Sequence, residues 1–202
     1  MSKQLDLLLV NPSANKVYQK SQESSSYPAL EPPYLAALTA EFIRNHRFNV
    51  KILDTNAEQL TIDDTVSQII DYDPRLVHIV VHGNQPSASS QLMDWVGEVC
   101  SGVKDISRET NILLTGTHPA ALPKRTLEEE SCDFVGRGEG FFTPLGLLEG
   151  KPFSEVPGLW YKEDGKVIQG IPDKILSTKE LGDLLKTAAW DLLPVEKYRA
   201  HD

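Results

Sequence analysis

Four short segments hold the residue types that could bind a ligand. They read Asn11-Pro12-Ser13-Ala14-Asn15, His82-Gly83-Asn84-Gln85-Pro86, Gly116-Thr117-His118-Pro119-Ala120 and Gly136-Arg137-Gly138-Glu139-Gly140. Gly83 lets the backbone approach a ligand closely, while the amides of Asn84 and Gln85 donate and accept hydrogen bonds. Gly116 breaks sharply into a helix start, so His118 either contacts a ligand or caps the helix. The three alternating glycines Gly136, Gly138 and Gly140 expose backbone amides to an anion or a polar group. Their spacing is not the G-x-G-x-x-G dinucleotide fingerprint. Glu139 falls in a first helical turn, where it either complements the helix dipole or contacts a sugar hydroxyl. His78 and His82 stand four apart on one strand and would share a face, but no third ligand accompanies them to complete a metal site.

Each segment follows an apolar run that reads as a strand buried on both faces, hence parallel. The runs are Leu5 to Val10, Asn49 to Asp54, Leu76 to Val81, Asn111 to Thr115 and Asp133 to Val135. Helical patterns alternate with them. Leu35, Leu38, Phe42 and Ile43 share one face behind Pro32-Pro33, and Val66, Ile69 and Ile70 follow a cap at Thr61 or Asp63. Leu92, Trp95, Val96 and Val99 mark a third helix. A short fourth is expected from Pro119 through Leu127, and a fifth from Glu139 carries Phe141, Phe142, Leu145 and Leu148. The pattern predicts a flavodoxin-like (Rossmann-like) α/β fold: a doubly wound, five-stranded parallel sheet in order 2-1-3-4-5. In such a sheet, ligands lie beyond the carboxyl ends of the strands, where the four segments fall. Gly158 to Gly170 predicts a β-hairpin around Asp164-Gly165, outside that sheet. The stretch from Asn11 to Pro33 is a long irregular loop, and loops of that length are usually functional.

Composition limits the partners. The 202 residues carry a formal net charge of -9, with 40% hydrophobic and 24% charged residues. An acidic chain is a poor ligand for nucleic acid or an anionic membrane. No apolar run approaches the ~18 residues of a bilayer span, and Met1 to Asp6 lacks the features of a signal peptide. Cys100 and Cys132 form neither a disulfide framework nor a cluster motif and read as buried thiols. A reducing cytoplasm is the expected compartment.

Taken in order, N-P after the first strand, P-P-Y-L-A-A-L opening the first helix, G-T-H-P after the fourth strand and G-R-G-E-G after the fifth resemble the cobalamin-binding domain of cobalamin-dependent radical S-adenosylmethionine enzymes. The resemblance covers Leu5 to about Leu148. GLWYKEDGKVIQG and A-W-D-L-L-P-V-E-K-Y resemble the connector preceding the catalytic barrel. It implies a cobalamin-binding domain over residues 1–150 and a hairpin and connector over 151–202. The corrin would lie over the carboxyl edge of the sheet, with the nucleotide tail between sheet and helices. The residues carried over are Pro12, Ser13, His82, Gly83, Asn84, Gly116, Thr117, His118, Pro119, Gly136, Arg137, Gly138, Glu139 and Gly140.

Two departures refine this. Cobalamin proteins that ligate cobalt through histidine carry D-x-H-x-x-G after the first strand, where this chain has Asn11-Pro12-Ser13-Ala14-Asn15-Lys16. The expected binding mode is therefore base-off without a histidine on cobalt. The C-x-x-x-C-x-x-C motif of the catalytic core is also absent, and Asp202 falls about where that core would begin. The resemblance thus implies a module of a longer enzyme, a methyltransferase or related radical enzyme. The parent's [4Fe-4S] cluster and S-adenosylmethionine would not be bound by this fragment, which alone is not expected to be catalytic. A free-standing cobalamin carrier or sensor and a nucleotide-binding Rossmann-like domain stand as alternatives. A signalling receiver would need acids after the first and third strands and a lysine after the fifth, where this chain has Asn11, His82 and Arg137.

Overall fold

The computed structural model describes residues 4–13, 29–83, 86–138, 140–184 and 187–199, apart from the side chains of Pro86 and Leu184. Strand β1, Leu7–Asn11, is buried almost throughout, as its unbroken apolar run requires. Helix α1, Tyr34–Asn45, follows Pro33 and presents Ala36, Ala37, Ala40 and Ile43 to the interior. After β2, Val50–Asp54, helix α2, Ile62–Tyr72, opens with a capping box. Thr61 accepts from the Asp64 amide, and Asp64 accepts from the Thr61 amide. Of the two caps the sequence offers, Thr61 is the one used. Strand β3, Leu76–Val81, is buried at every position. Two helices follow, α3 at Pro86–Gln91 and α4 at Met93–Ile106.

Strand β4, Ile112–Gly116, leads into two short helices, α5 at Thr117–Ala121 and α6 at Pro123–Glu129. The single helix expected there is divided, because a residue before proline is driven out of the helical region; Leu122 has ψ 51°. Strand β5 is only Phe134–Gly136, and α7 runs from Phe142 to Leu148, three residues later than expected. A 3₁₀ turn at Phe153–Glu155 precedes β6, Leu159–Glu163, and β7, Lys166–Gln169. Asp164 and Gly165 both have positive φ, as a tight hairpin turn requires. Helix α8, Thr178–Leu184, and 3₁₀ turns at Trp190–Leu192 and Val195–Lys197 complete the described chain.

The five parallel strands pair in the expected order, but the sheet has seven strands, β2-β1-β3-β4-β5-β6-β7. This corrects the placement of the hairpin outside the sheet. β6 pairs antiparallel with β5, setting Phe134 opposite Tyr161 and Gly136 opposite Leu159. Without that partner, the three-residue β5 would leave a row of backbone donors and acceptors unpaired at the sheet edge. Burying Leu159 and Tyr161 adds an apolar reason for docking.

Side chains alternate across the sheet and define two cores. Leu7, Leu9, Leu76, Val80, Leu113 and Phe134 pack with α1, α7 and the tail residues Ala188, Ala189 and Leu193. Leu8, Val10, Val77, Ile79, Val81, Ile112, Leu114 and Val135 pack with α2, α4 and α6. Among the described residues no helix is long and apolar enough to cross a membrane.

Candidate functional site

Parallel strands and short turns bring the candidate loops to one edge of the sheet, at the carboxyl ends of β1, β3, β4 and β5. Pro12 and Ser13 are buried directly after β1. Their position is set by a hydrogen-bond hub one strand away. Asp54, 1% exposed at the end of β2, accepts from Asn11 Nδ2 (2.8 Å), the Ala57 amide (3.1 Å) and the Tyr198 hydroxyl (2.7 Å). Thr55 Oγ1 donates to the Asn11 carbonyl at 2.7 Å. A carboxylate buried so completely is tolerable only when donors surround it. Burial, followed by the bond to Asp54, pushes the Tyr198 hydroxyl well above the usual phenol range. The next residue, Arg199, exchanges two backbone hydrogen bonds with Leu30. The tail therefore lies against both flanks of the segment that follows β1.

The loops after β3 and β4 are joined through α3. Ser89 Oγ donates to the Val81 carbonyl at 2.6 Å and accepts from the His118 amide at 3.1 Å. Ser90 Oγ pairs with His118 Nδ1 at 2.8 Å. One ring nitrogen of His118 is thus engaged by protein, and the residue lies within α5. His82 lies beyond the end of β3 and is exposed, so it does not share a buried face with His78. Among the described residues no three His, Cys, Asp or Glu side chains could hold a metal ion. Thr117 is half-buried and Pro119 buried. Asn84 and Glu139 lie outside the described residues.

The glycines of these loops serve different ends. A Cβ on Gly116, φ 114°, would stand 1.9 Å from the Val81 carbonyl, so this glycine lets β4 close against β3. On Gly83 it would meet Ala88 Cβ at 2.5 Å. On Gly138, φ 108°, it would collide with the carboxylate of Asp173 in the connector. Gly136 faces Thr115 Cγ2 at 2.8 Å, whereas a Cβ on Gly140, φ 80°, would find nothing nearer than Thr115 Oγ1 at 3.8 Å. Arg137 is exposed, and its amide donates to the Gly158 carbonyl at 2.8 Å. Gly140 is therefore the glycine of this loop with room beside it inside the protein.

Beneath Gly136 and Gly140 lies a polar pair that the sequence did not single out as one. His78, 1% exposed, places Nε2 2.7 Å from Thr115 Oγ1. Among the described residues its Nδ1 has no hydrogen-bond partner, and an unpaired buried nitrogen costs about 1–3 kcal/mol. Burial lowers the imidazole pKa to about 3, so the ring is neutral. The signal available in the sequence was a lone histidine interrupting LVHIVV. Cys100 and Cys132 are buried free thiols, and burial, with the nearby Asp133 charge, pushes Cys132 up to about 12. They lie in the opposite core, away from these loops.

Residues 26–143 match the family described as B12 binding domain. That is more than half of the chain, which belongs to this family of cobalamin-binding domains. Its sequence is 30% identical over 203 residues to the Pyrococcus horikoshii protein named uncharacterized methyltransferase PH0819, spanning 98% of this chain and 41% of that protein. The fold is shared with the radical S-adenosylmethionine methyltransferase TsrM from Kitasatospora setae, solved with tryptophan and a S-adenosylmethionine analogue. There the TM-score is 0.62 at 18% identity over 85% of this chain and 31% of that one. It is shared equally with the cobalamin-dependent radical enzyme OxsB bound to aqua-cobalamin, with TM-score 0.65 at 17% identity over 91% of this chain and 25% of that one.

Proposed function

We propose that this chain binds cobalamin at the carboxyl edge of its sheet and serves as the cobalamin module of a longer radical S-adenosylmethionine enzyme of the methyltransferase type. Residues 1–150 would form the binding domain, and residues 151–202 the hairpin and connector towards the core. The observation that carries the reading is the convergence of the β1, β3, β4 and β5 loops on one edge, within a chain of the B12 binding domain family. The similarity to a methyltransferase more than twice as long favours a module over a free-standing carrier.

The residues at that edge suit the cofactor. On the buried face of α1, Ala36, Ala37 and Ala40 stand among the larger Leu38, Phe42 and Ile43. Gly140 leaves space beside Thr115, and His78 Nδ1 offers an unmet hydrogen bond. Pro12, Ser13, His82, Gly83, Gly116 to Pro119 and Gly136 to Gly140 would surround the corrin and the entrance to the tail channel. When bound, cobalamin would supply a cobalt centre able to carry an alkyl group. The protein's part would be to hold the corrin at the edge through these loops and to take the tail between sheet and helices. No histidine stands in the D-x-H-x-x-G position, and one nitrogen of His118 is committed to Ser90. The reading is therefore base-off with no histidine on cobalt.

The test is an absorbance spectrum after incubation with hydroxocobalamin and desalting. Near-stoichiometric corrinoid absorbance should travel with the protein, and a colourless protein would sink the proposal. Electron spin resonance of the reduced cobalt(II) form should show no nitrogen splitting that is lost in His82→Ala or His118→Ala.

A further inference from the structure

Resting on the cobalamin reading, we infer that His78, backed by Thr115, hydrogen-bonds the nucleotide tail of bound cobalamin and so distinguishes a complete cobalamin from a corrin without that tail. His78 lies three residues before the end of β3, about 10 Å along the strand at the usual rise. A corrin lying over the sheet edge does not reach that depth, whereas an arm entering between sheet and helices does. The ring lies on the α1 and α7 side, level with Leu9 and Leu113 in the register. Thr115 follows two positions after Leu113, on the same side. Thr115 is in turn the residue that both Gly136 and Gly140 face. The unpaired nitrogen thus belongs to the same cluster as two loop glycines of the site.

The other polar side chains in this layer are accounted for. Thr39 Oγ1 donates to the Leu35 carbonyl and Thr143 Oγ1 to the Pro157 carbonyl. His78 Nδ1 has no partner, although a neutral imidazole carries one donor and one acceptor. Because the Thr115 hydroxyl can donate or accept, either tautomer is supported. The pair can therefore offer an incoming tail either an N–H or a lone pair. A ring nitrogen, ribose hydroxyl or phosphate oxygen is the matching chemistry, and all belong to the nucleotide.

The experiment compares hydroxocobalamin with dicyanocobinamide, which has the corrin but no nucleotide, binding to the full chain by equilibrium dialysis. His78→Leu should weaken hydroxocobalamin roughly tenfold, the effect of one ordinary hydrogen bond, and leave cobinamide unchanged. His78→Gln, which keeps a donor and an acceptor, should recover most of the difference. Equal weakening of both ligands, or of neither, overturns the inference. If the leucine variant does not fold, the ¹⁵N resonance of His78 Nδ1 in the unmodified chain decides. It should move with hydroxocobalamin and stay in place with cobinamide; a resonance unmoved by both, or shifted alike by both, overturns the role. Retention of neither corrinoid by the unmodified chain overturns the cobalamin reading itself, a result distinct from binding without discrimination.

Discussion

The two faces of the sheet are built to different rules. Towards α2, α4 and α6 the strands β1, β3, β4 and β5 present buried apolar side chains, from Leu8 and Val10 through Ile79 to Leu114 and Val135, against Trp95, Val96 and Val99. Towards α1 and α7 two of the same strands carry His78, in the middle of β3, and Thr115, near the end of β4, among apolar residues. The first face has bulk and no unmet polar atom on its strands. The second is also apolar, with Leu9, Leu113, Phe141 and Leu145, but holds a neutral buried histidine with an unpaired nitrogen. Both sides bury apolar surface, and one of them also holds a buried polar pair. Side-chain parity alone thus gives one layer a buried polar pair that the other lacks, because neighbouring residues on each strand face opposite layers.

The largest effect is expected on the apolar face. Ile79→Ala should cost about 2–5 kcal/mol, the range for truncating a fully buried isoleucine, read as a lower denaturation midpoint in urea. The ratio of hydroxocobalamin to cobinamide affinity should be untouched; a changed ratio would break the division between faces.

The next effect belongs to His78 and appears in acid. Its folded pKa of about 3 lies below the ordinary value of 6.5, so the unfolded chain takes up the proton first. Stability should be level above about pH 6.5 and fall as the pH drops, by about 1.4 kcal/mol per unit once the unfolded imidazole is charged. In His78→Gln this contribution vanishes, so the difference between the two proteins should shrink as the pH is lowered from 7 to 4. A constant difference would mean that the imidazole titrates alike folded and unfolded.

A smaller effect is expected at Tyr198. Tyr198→Phe removes one of three donors to the buried Asp54 carboxylate and should lower stability by about 1–2 kcal/mol, seen as a lower Tm. The α2 and α4 face should keep its slow amide exchange. Loss of protection across Val77 and Ile79 would show that the tail supports both cores.

The strands were legible because burial on both faces leaves runs such as LDLLLV with almost no polar interruption. The break between α5 and α6 was also written in the chain, at Pro123, although the sequence suggested one helix there. The hairpin announced its turn at Asp164-Gly165 but not its dock, since backbone pairing with β5 leaves no mark in side-chain type. The candidate loops were visible through their glycines, but what a missing Cβ faces is decided by distant segments. Gly138 drew attention as one of three alternating glycines exposing their amides, yet what a Cβ there would meet is Asp173 of the connector. A valine there would first displace the connector. His78 invited comparison with His82 because both are histidines four apart, whereas its actual partner, Thr115, stands on another strand. The Asp54 hub joins residues from β1, β2 and the tail, and no local pattern predicts such a meeting.

The backbone bridge between Leu30 and Arg199 also bears on the order of assembly. The β6–β7 hairpin closes across a two-residue turn and can form within microseconds. The bridge must instead bring together residues separated by most of the chain, and the entropy of closing so long a loop is recovered only when the intervening sheet is already in place. The tail is therefore a late-arriving piece, docking on a finished sheet and leaving it first when the protein opens.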